Sequence, residues 1–402
     1  MSDQRAVSQQ KNKKIILLAI AFYFNFACSN VSYLLPVYYA RAGFSAARAG
    51  ALVSAFYIAS LIFRLILGSF IPRFGFKKLL AAGGVLSTAG ALAIAFSGGS
   101  FISAFAARLL FGSGTAFTQI ALAAYQSLAF PKEERGRAYS FIMAGGLAPM
   151  LTAVPIADAL LAKGYFTAYI FIPVLLSAAM SAVTIFALDT GDVSLDDVPA
   201  SASPFAGMRE CLRIPAVVLS VLMMIIFSTV DAASSFMSSM TAVFGLMSSY
   251  FLSSNAAVGV LVRLFLGRIL DRYPRSRLSA PITASMAVLL LLASIHPSRT
   301  SLMILGFFFG VGMGFGFPLH IALVSDYSPR RLQPAAVSMV WFAIAVAFAV
   351  VPFVSSYITE ATDPVFGFRA VVIFALVCCI LTAAVWRRLE RRGMLYGRRK
   401  ES

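Results

Sequence analysis

Runs of about 20 uninterrupted apolar residues constrain this chain more than any other feature. An α-helix rises 1.5 Å per residue, so a run of that length crosses the roughly 30 Å hydrocarbon core of a bilayer. Twelve such runs are present, near 15–39, 49–71, 79–97, 101–130, 138–162, 166–188, 215–241, 248–270, 278–296, 301–325, 335–358 and 369–386. Within hydrocarbon a segment must satisfy its own backbone amides, which makes each run a helix. The first run is too long for the core of a signal peptide and lacks a small-residue cleavage pattern, so it is expected to remain in the protein. Composition agrees: 60% hydrophobic and 12% charged residues exclude a soluble domain of this size.

A net charge of +17 could point to nucleic acid, so the placement of the charge decides its meaning. Most of the 33 Lys and Arg residues fall at the N-terminus, after the even-numbered spans and in the C-terminal tail. On the opposite side stand only Arg41, Arg48, Lys163, Arg299 and Arg369. This is the positive-inside pattern, and it places both termini in the cytoplasm. The tail from Arg387 to Lys400 reads as an anchor on the membrane surface, and no nucleic acid is expected as a partner. Cys28, Cys211, Cys378 and Cys379 show no metal-ligand spacing and read as small packing residues.

The one long polar stretch between spans, Asp189 to Arg213, reads as a cytoplasmic linker. It divides the chain into an N-terminal six-helix bundle (1–188), a linker (189–214) and a C-terminal six-helix bundle with a basic tail (215–402). The two halves repeat at an offset of about 199 residues. Phe63-Arg64-Leu65-Ile66-Leu67-Gly68 with Arg73 aligns with Val262-Arg263-Leu264-Phe265-Leu266-Gly267 with Arg272, and Gly112 and Gly114 align with Gly310 and Gly312. Duplicated halves suit alternating access, in which one bundle rocks against the other.

The chain resembles the major facilitator superfamily along its whole length. Gly68 to Lys78 is similar to that family's loop motif between the second and third spans, and Gly267-Arg268-Ile269-Leu270-Asp271-Arg272 is similar to its second copy. Arg108 to Ala116 resembles the motif of the fourth span, and Pro36 fits another. Pro72 stands where the first loop motif usually has an aspartate, which leaves Asp271 to make the gating contact that the resemblance implies. Gly145 to Ala153 is a degraded form of the glycine-proline signature of antiporters. The arginine-centred segments also resemble bacterial exporters of metal-chelating metabolites. The implied fold is all-α, with twelve transmembrane helices in two pseudo-symmetric six-helix bundles.

Ionisable side chains inside a bilayer cost at least ~2.5 kcal/mol each and need a partner or a wet cavity. Arg108, Gly112, Thr115, Gln119 and Gln126 share one face of the fourth span, and that face is expected to line the cavity. The alternative is that Arg108 pins neighbouring helices through backbone carbonyls. Asn25, Ser29, Ser32 and Tyr33 form a stripe on the first span with Asn30 beside it, and Ser228, Asp231, Ser235 and Ser238 form one on the seventh. Such stripes also join helix to helix. Asp231 is the one acid near mid-membrane, the candidate for proton coupling; the alternative is a permanent Asp-Arg pair. Arg64 and Arg263, with Arg73, Asp271 and Arg272, read as gating or structural residues, although Arg64, Arg263 and Arg108 could instead hold an oxyanion. Phe317 and His320 follow the glycine-rich run of the tenth span and join the cavity candidates, unless local carbonyls satisfy the histidine.

No nucleophile elbow, phosphate loop or paired carboxylates are present, so neither an enzyme nor a cofactor is expected. The expectation is a secondary transporter with a cavity lined by the first, fourth, seventh and tenth spans. The excess of arginine over acid points to a small anionic or zwitterionic solute, moved most readily by proton-coupled export. Uptake of a carboxylate by symport or exchange is the alternative within transport, and a non-transporting sensor or scaffold is the alternative outside it. The chain is expected to act as a monomer in a bacterial inner membrane.

Overall fold

The computed structural model describes residues 2–66, 71–97, 99–130, 141–142, 144–191, 204–265 and 273–394. Its described residues are helical and contain no strand. Eleven helices are long and apolar enough to cross a membrane. The eighth expected span is also a helix, over Ser249–Phe265, and its continuation lies outside the described residues.

The helices are α1 (Ser2–Val31), α2 (Leu35–Arg41), α3 (Ala46–Ile66), α4 (Ile71–Ala95), α5 (Phe101–Ala129), α6 (Ala153–Ala162), α7 (Phe166–Ala182), α8 (Pro204–Cys211), α9 (Pro215–Ser235), α10 (Ser238–Val243), α11 (Ser249–Phe265), α12 (Arg275–Ile295), α13 (Arg299–Asp326), α14 (Gln333–Ala361) and α15 (Pro364–Arg391). Two compact units contain them: Met1–Phe44 with Ala51–Ser201, and Ser45–Gly50 with Ala202–Ser402.

Prolines and glycines account for the local departures from plain helix. The first span does not stop at Pro36; a 3₁₀ turn at Ser32–Leu34 leads into α2, where Pro36 sits in the first turn. A proline there has no amide to lose. In the fifth span Pro149 lies in a 3₁₀ turn, Ala148–Leu151, and α6 begins only at Ala153. Gly75 interrupts α4 with φ 75°, a conformation that only glycine adopts without strain.

Each unit is packed through its glycines. A Cβ added at Gly112 of α5 would stand 2.2 Å from the carbonyl oxygen of Phe56 on α3, and one at Gly114 would stand 2.2 Å from the amide nitrogen of Ser87 on α4. The second unit repeats the arrangement, with Gly310 of α13 against the carbonyl of Asn255 on α11. Phe56 and Asn255 are related by the same offset that relates the halves of the sequence, so the repeat holds at the level of individual backbone contacts. Close approach of this kind is the usual way helices associate in lipid, where apolar side chains gain little by leaving hydrocarbon.

Candidate functional site

In the N-terminal unit the polar face of α5 is turned inward. Arg108 is fully buried. Its Nε donates to the carbonyl of Leu52 at 3.0 Å, Nη2 to that of Val53 at 3.3 Å and Nη1 to Ser32 Oγ at 3.1 Å, while the guanidinium lies 4.9 Å from the centre of the Phe56 ring. Hydrogen bonds from a charged donor are worth about 1.5–3 kcal/mol each, so three of them offset the ~2.5–3.5 kcal/mol cost of an arginine at mid-membrane. The side chain therefore ties α5 to α3 and to the 3₁₀ turn of the first span.

The other candidates of this unit are similarly engaged. Asn25 Nδ2 donates to the carbonyl of Thr115 at 3.1 Å, and Thr115 Oγ1 turns back onto the carbonyls of Phe111 and Gly112. Gln119 accepts a short hydrogen bond from Arg64 Nη2, and Arg64 Nε donates to Ser60 Oγ at 3.3 Å. Asn30 and Tyr33 are buried, Ser29 is half-buried and the Nε2 of the buried Gln126 has no partner among the described residues. Arg73 is exposed, with its guanidinium 5.6 Å from the Phe74 ring.

In the C-terminal unit Asp231 of α9 and Arg263 of α11 interact electrostatically, although no direct ion pair joins them among the described residues. Arg263 Nη2 reaches the carbonyl of Met313 at 3.5 Å, its buried Nε has no partner among the described residues, and its guanidinium carbon lies 5.3 Å from the centre of the Phe317 ring. Phe317 in turn meets Trp341 of α14 edge-on, with ring centroids 6.2 Å apart. Ser228 and Ser235 are buried on α9.

His320 is fully buried and occupied on both nitrogens. Nδ1 faces the carbonyl of Gly316 at 2.7 Å, so it carries the proton; Nε2 then accepts from Ser279 Oγ at 3.0 Å. The ring also stacks on Phe227 at 4.6 Å. Asp158 is buried, and Asp326 makes a paired contact with Arg275 Nη1 at 2.9 and 2.8 Å. Asp271 and Arg272 lie outside the described residues.

Sequence reasoning missed Ser60, Ser279 and Trp341. Trp341 carried a usable signal, as one of only two tryptophans in the chain and within a span. The two serines carried none, since serine is common at helix contacts.

A family model, the Major Facilitator Superfamily, matches residues 15–293 and 247–401. Among solved structures, a point mutant of the nucleoside transporter NupG has a TM-score of 0.78 at 15% identity, over 93% of this chain and 99% of that one. A POT family transporter in complex with 5-aminolevulinic acid has a TM-score of 0.75 at 10% identity, over 94% and 96%. The peptide transporter POT in complex with sulfate has a TM-score of 0.74 at 16% identity, over 94% and 95%. At these identities the likeness is one of fold, and together with the family match over nearly the whole chain it makes this protein a multi-pass membrane protein of the Major Facilitator Superfamily.

Proposed function

We propose that the protein is a secondary active transporter of a small anionic or zwitterionic organic solute, coupled to protons through Asp231. The arrangement that supports this reading is an acid, Asp231 on α9, and an arginine, Arg263 on α11, within the second unit, with no ion pair between them among the described residues. A permanent structural pair would be in contact, because only close geometry offsets the desolvation of two buried charges. A pair held apart leaves the carboxylate able to exchange a proton and the arginine able to meet an anion. Within the first bundle, Ser29, Asn30 and Tyr33 are the residues proposed to meet the solute; within the second bundle, taken by itself, they are Ser228, Ser235 and Phe317. Arg108, Asn25 and Thr115 are proposed to hold the first bundle in shape, with Arg64 and Gln119 beside them.

Export is the proposed direction, supported by the antiporter-like Gly145 to Ala153 segment. Proton-coupled uptake is a second reading, favoured by Arg263, since an anion and a proton arriving at one charged pair relieve each other's repulsion. We place the protein in a bacterial inner membrane with both termini cytoplasmic, acting as a monomer.

The test starts with a thermal-shift screen of purified protein against carboxylates, amino acids, metal-chelating metabolites and drugs. A stabilising compound is then applied to proteoliposomes containing the pH dye pyranine. Solute-evoked proton movement in the wild type and its loss in Asp231→Asn are expected, and the sign of the dye response distinguishes antiport, expected of a proton-coupled exporter, from symport. Proton movement unchanged in Asp231→Asn would remove that residue from the mechanism. A protein that binds solutes yet moves neither solute nor proton would be a sensor.

A further inference from the structure

The two halves treat their equivalent arginines differently. Arg64 and Arg263 occupy the same position of the repeat, on α3 and α11. Arg64 meets two side-chain acceptors, Ser60 Oγ and Gln119 Oε1. In the second half Gly259 stands where Ser60 stands in the first, and Phe317 stands where Gln119 does. Both acceptors have been removed and replaced by residues that can accept nothing. The consequence is visible at Arg263: among the described residues its buried Nε has no partner, and the hydrogen bond from Nη2 to the carbonyl of Met313 is long, at 3.5 Å. Phe317 instead lies against the guanidinium plane and is braced by Trp341, which fixes the orientation of the fork without using any of its donors.

From this asymmetry we infer that Arg263, and not Arg64, binds the carboxylate of the solute, through the Nε–Nη2 edge of its guanidinium. The inference rests on the transport reading above and names the chemistry its solute carries. A buried donor left unpaired in a low-dielectric setting is unfavourable unless a partner fills it for part of the working cycle. A planar carboxylate matches two adjacent N–H groups with two oxygens, which an ammonium or an alcohol cannot do. Gly259 tolerates a side chain, since a Cβ built there would be in ordinary contact with the carbonyl of Gly310 at 3.6 Å, so the serine of the first half could be restored without a clash.

The test is binding rather than flux. Benzoate and its neutral isostere benzamide are titrated against the purified full-length protein, read by the midpoint of thermal unfolding. Benzoate should stabilise the wild type and benzamide should not. Arg263→Lys keeps the charge but loses the fork, and should weaken benzoate binding at least tenfold, whereas Arg64→Lys should stay within twofold of the wild type. The double variant Gly259→Ser, Phe317→Gln copies the acceptors of the first half, and should also lose at least tenfold with Arg263 still in place. It carries the test if Arg263→Lys fails to fold. Wild-type protein indifferent to benzoate, Arg263→Lys binding normally, or Arg64→Lys losing as much would each overturn the inference. Solute-evoked proton movement that persists in Arg263→Lys would leave the transport reading standing while this assignment falls.

Discussion

Gly310 rides directly on the backbone of Asn255: a Cβ added to the glycine would come within 2.5 Å of the asparagine's carbonyl oxygen. Two residues further along α13, the nearest atoms to a Cβ on Gly312 would belong to the flexible side chain of Met286, at 2.5 Å from Cγ and 2.8 Å from Sδ. The two glycines are therefore not equivalent. Gly310→Ala should cost about 1–3 kcal/mol, because a backbone oxygen can yield only if the helices part. Gly312→Ala should cost less than ~1 kcal/mol. Thermal unfolding midpoints of the two variants in one detergent check the difference, and equal losses would contradict the packing described.

Arg108 offers a second contrast. As a brace whose donors end on Leu52, Val53 and Ser32, it should tolerate Arg108→Met within about 1 kcal/mol, because an apolar side chain of similar length needs no acceptors. Arg108→Lys keeps a buried charge with a different reach and should cost about 1–3 kcal/mol. Both variants should retain solute binding. Loss of binding in a stable Arg108→Met protein would return Arg108 to the solute.

The repeat and the glycines of the helix contacts were legible in the sequence because they depend on residue identity at fixed spacing. The destinations of Arg108 were not, since backbone carbonyls have no residue type to read. The same limit applies to His320, whose partners are a carbonyl of its own helix and a serine on α12. Pro36 falls inside the first expected span, and the 3₁₀ turn before it and the new helix it helps to open are details that a run of apolar residues does not specify. That Asp231 and Arg263 form no ion pair among the described residues depends on how α9 and α11 pack, which spacing along the chain does not specify.

The contact between Arg275 and Asp326 should matter little. Its geometry is good, but the side chains are 28% and 45% exposed, and pairs in such settings contribute about 0.2–1 kcal/mol. Arg275→Gln should shift the unfolding midpoint by no more than that implies, with the difference shrinking further at high salt. A larger loss would mean that the position does more than join the start of α12 to the end of α13.

Ser279→Ala should be more damaging than its size suggests. It removes the hydroxyl that donates to His320 Nε2 in a fully buried place, leaving Thr283 at 3.4 Å as the remaining neighbour. A cost of about 1–3 kcal/mol is expected by thermal unfolding, and Ser279→Thr should recover part of it.

Where Gly112 meets Phe56 and Gly310 meets Asn255, no soft layer of side chains separates one helix from the next. Such a junction behaves like a riveted joint: it has little compliance, so a push at one end of α5 or α13 reaches the other end almost undiminished. Each bundle can then serve as a lever, and the bending required by any working stroke is left to its turns and loops.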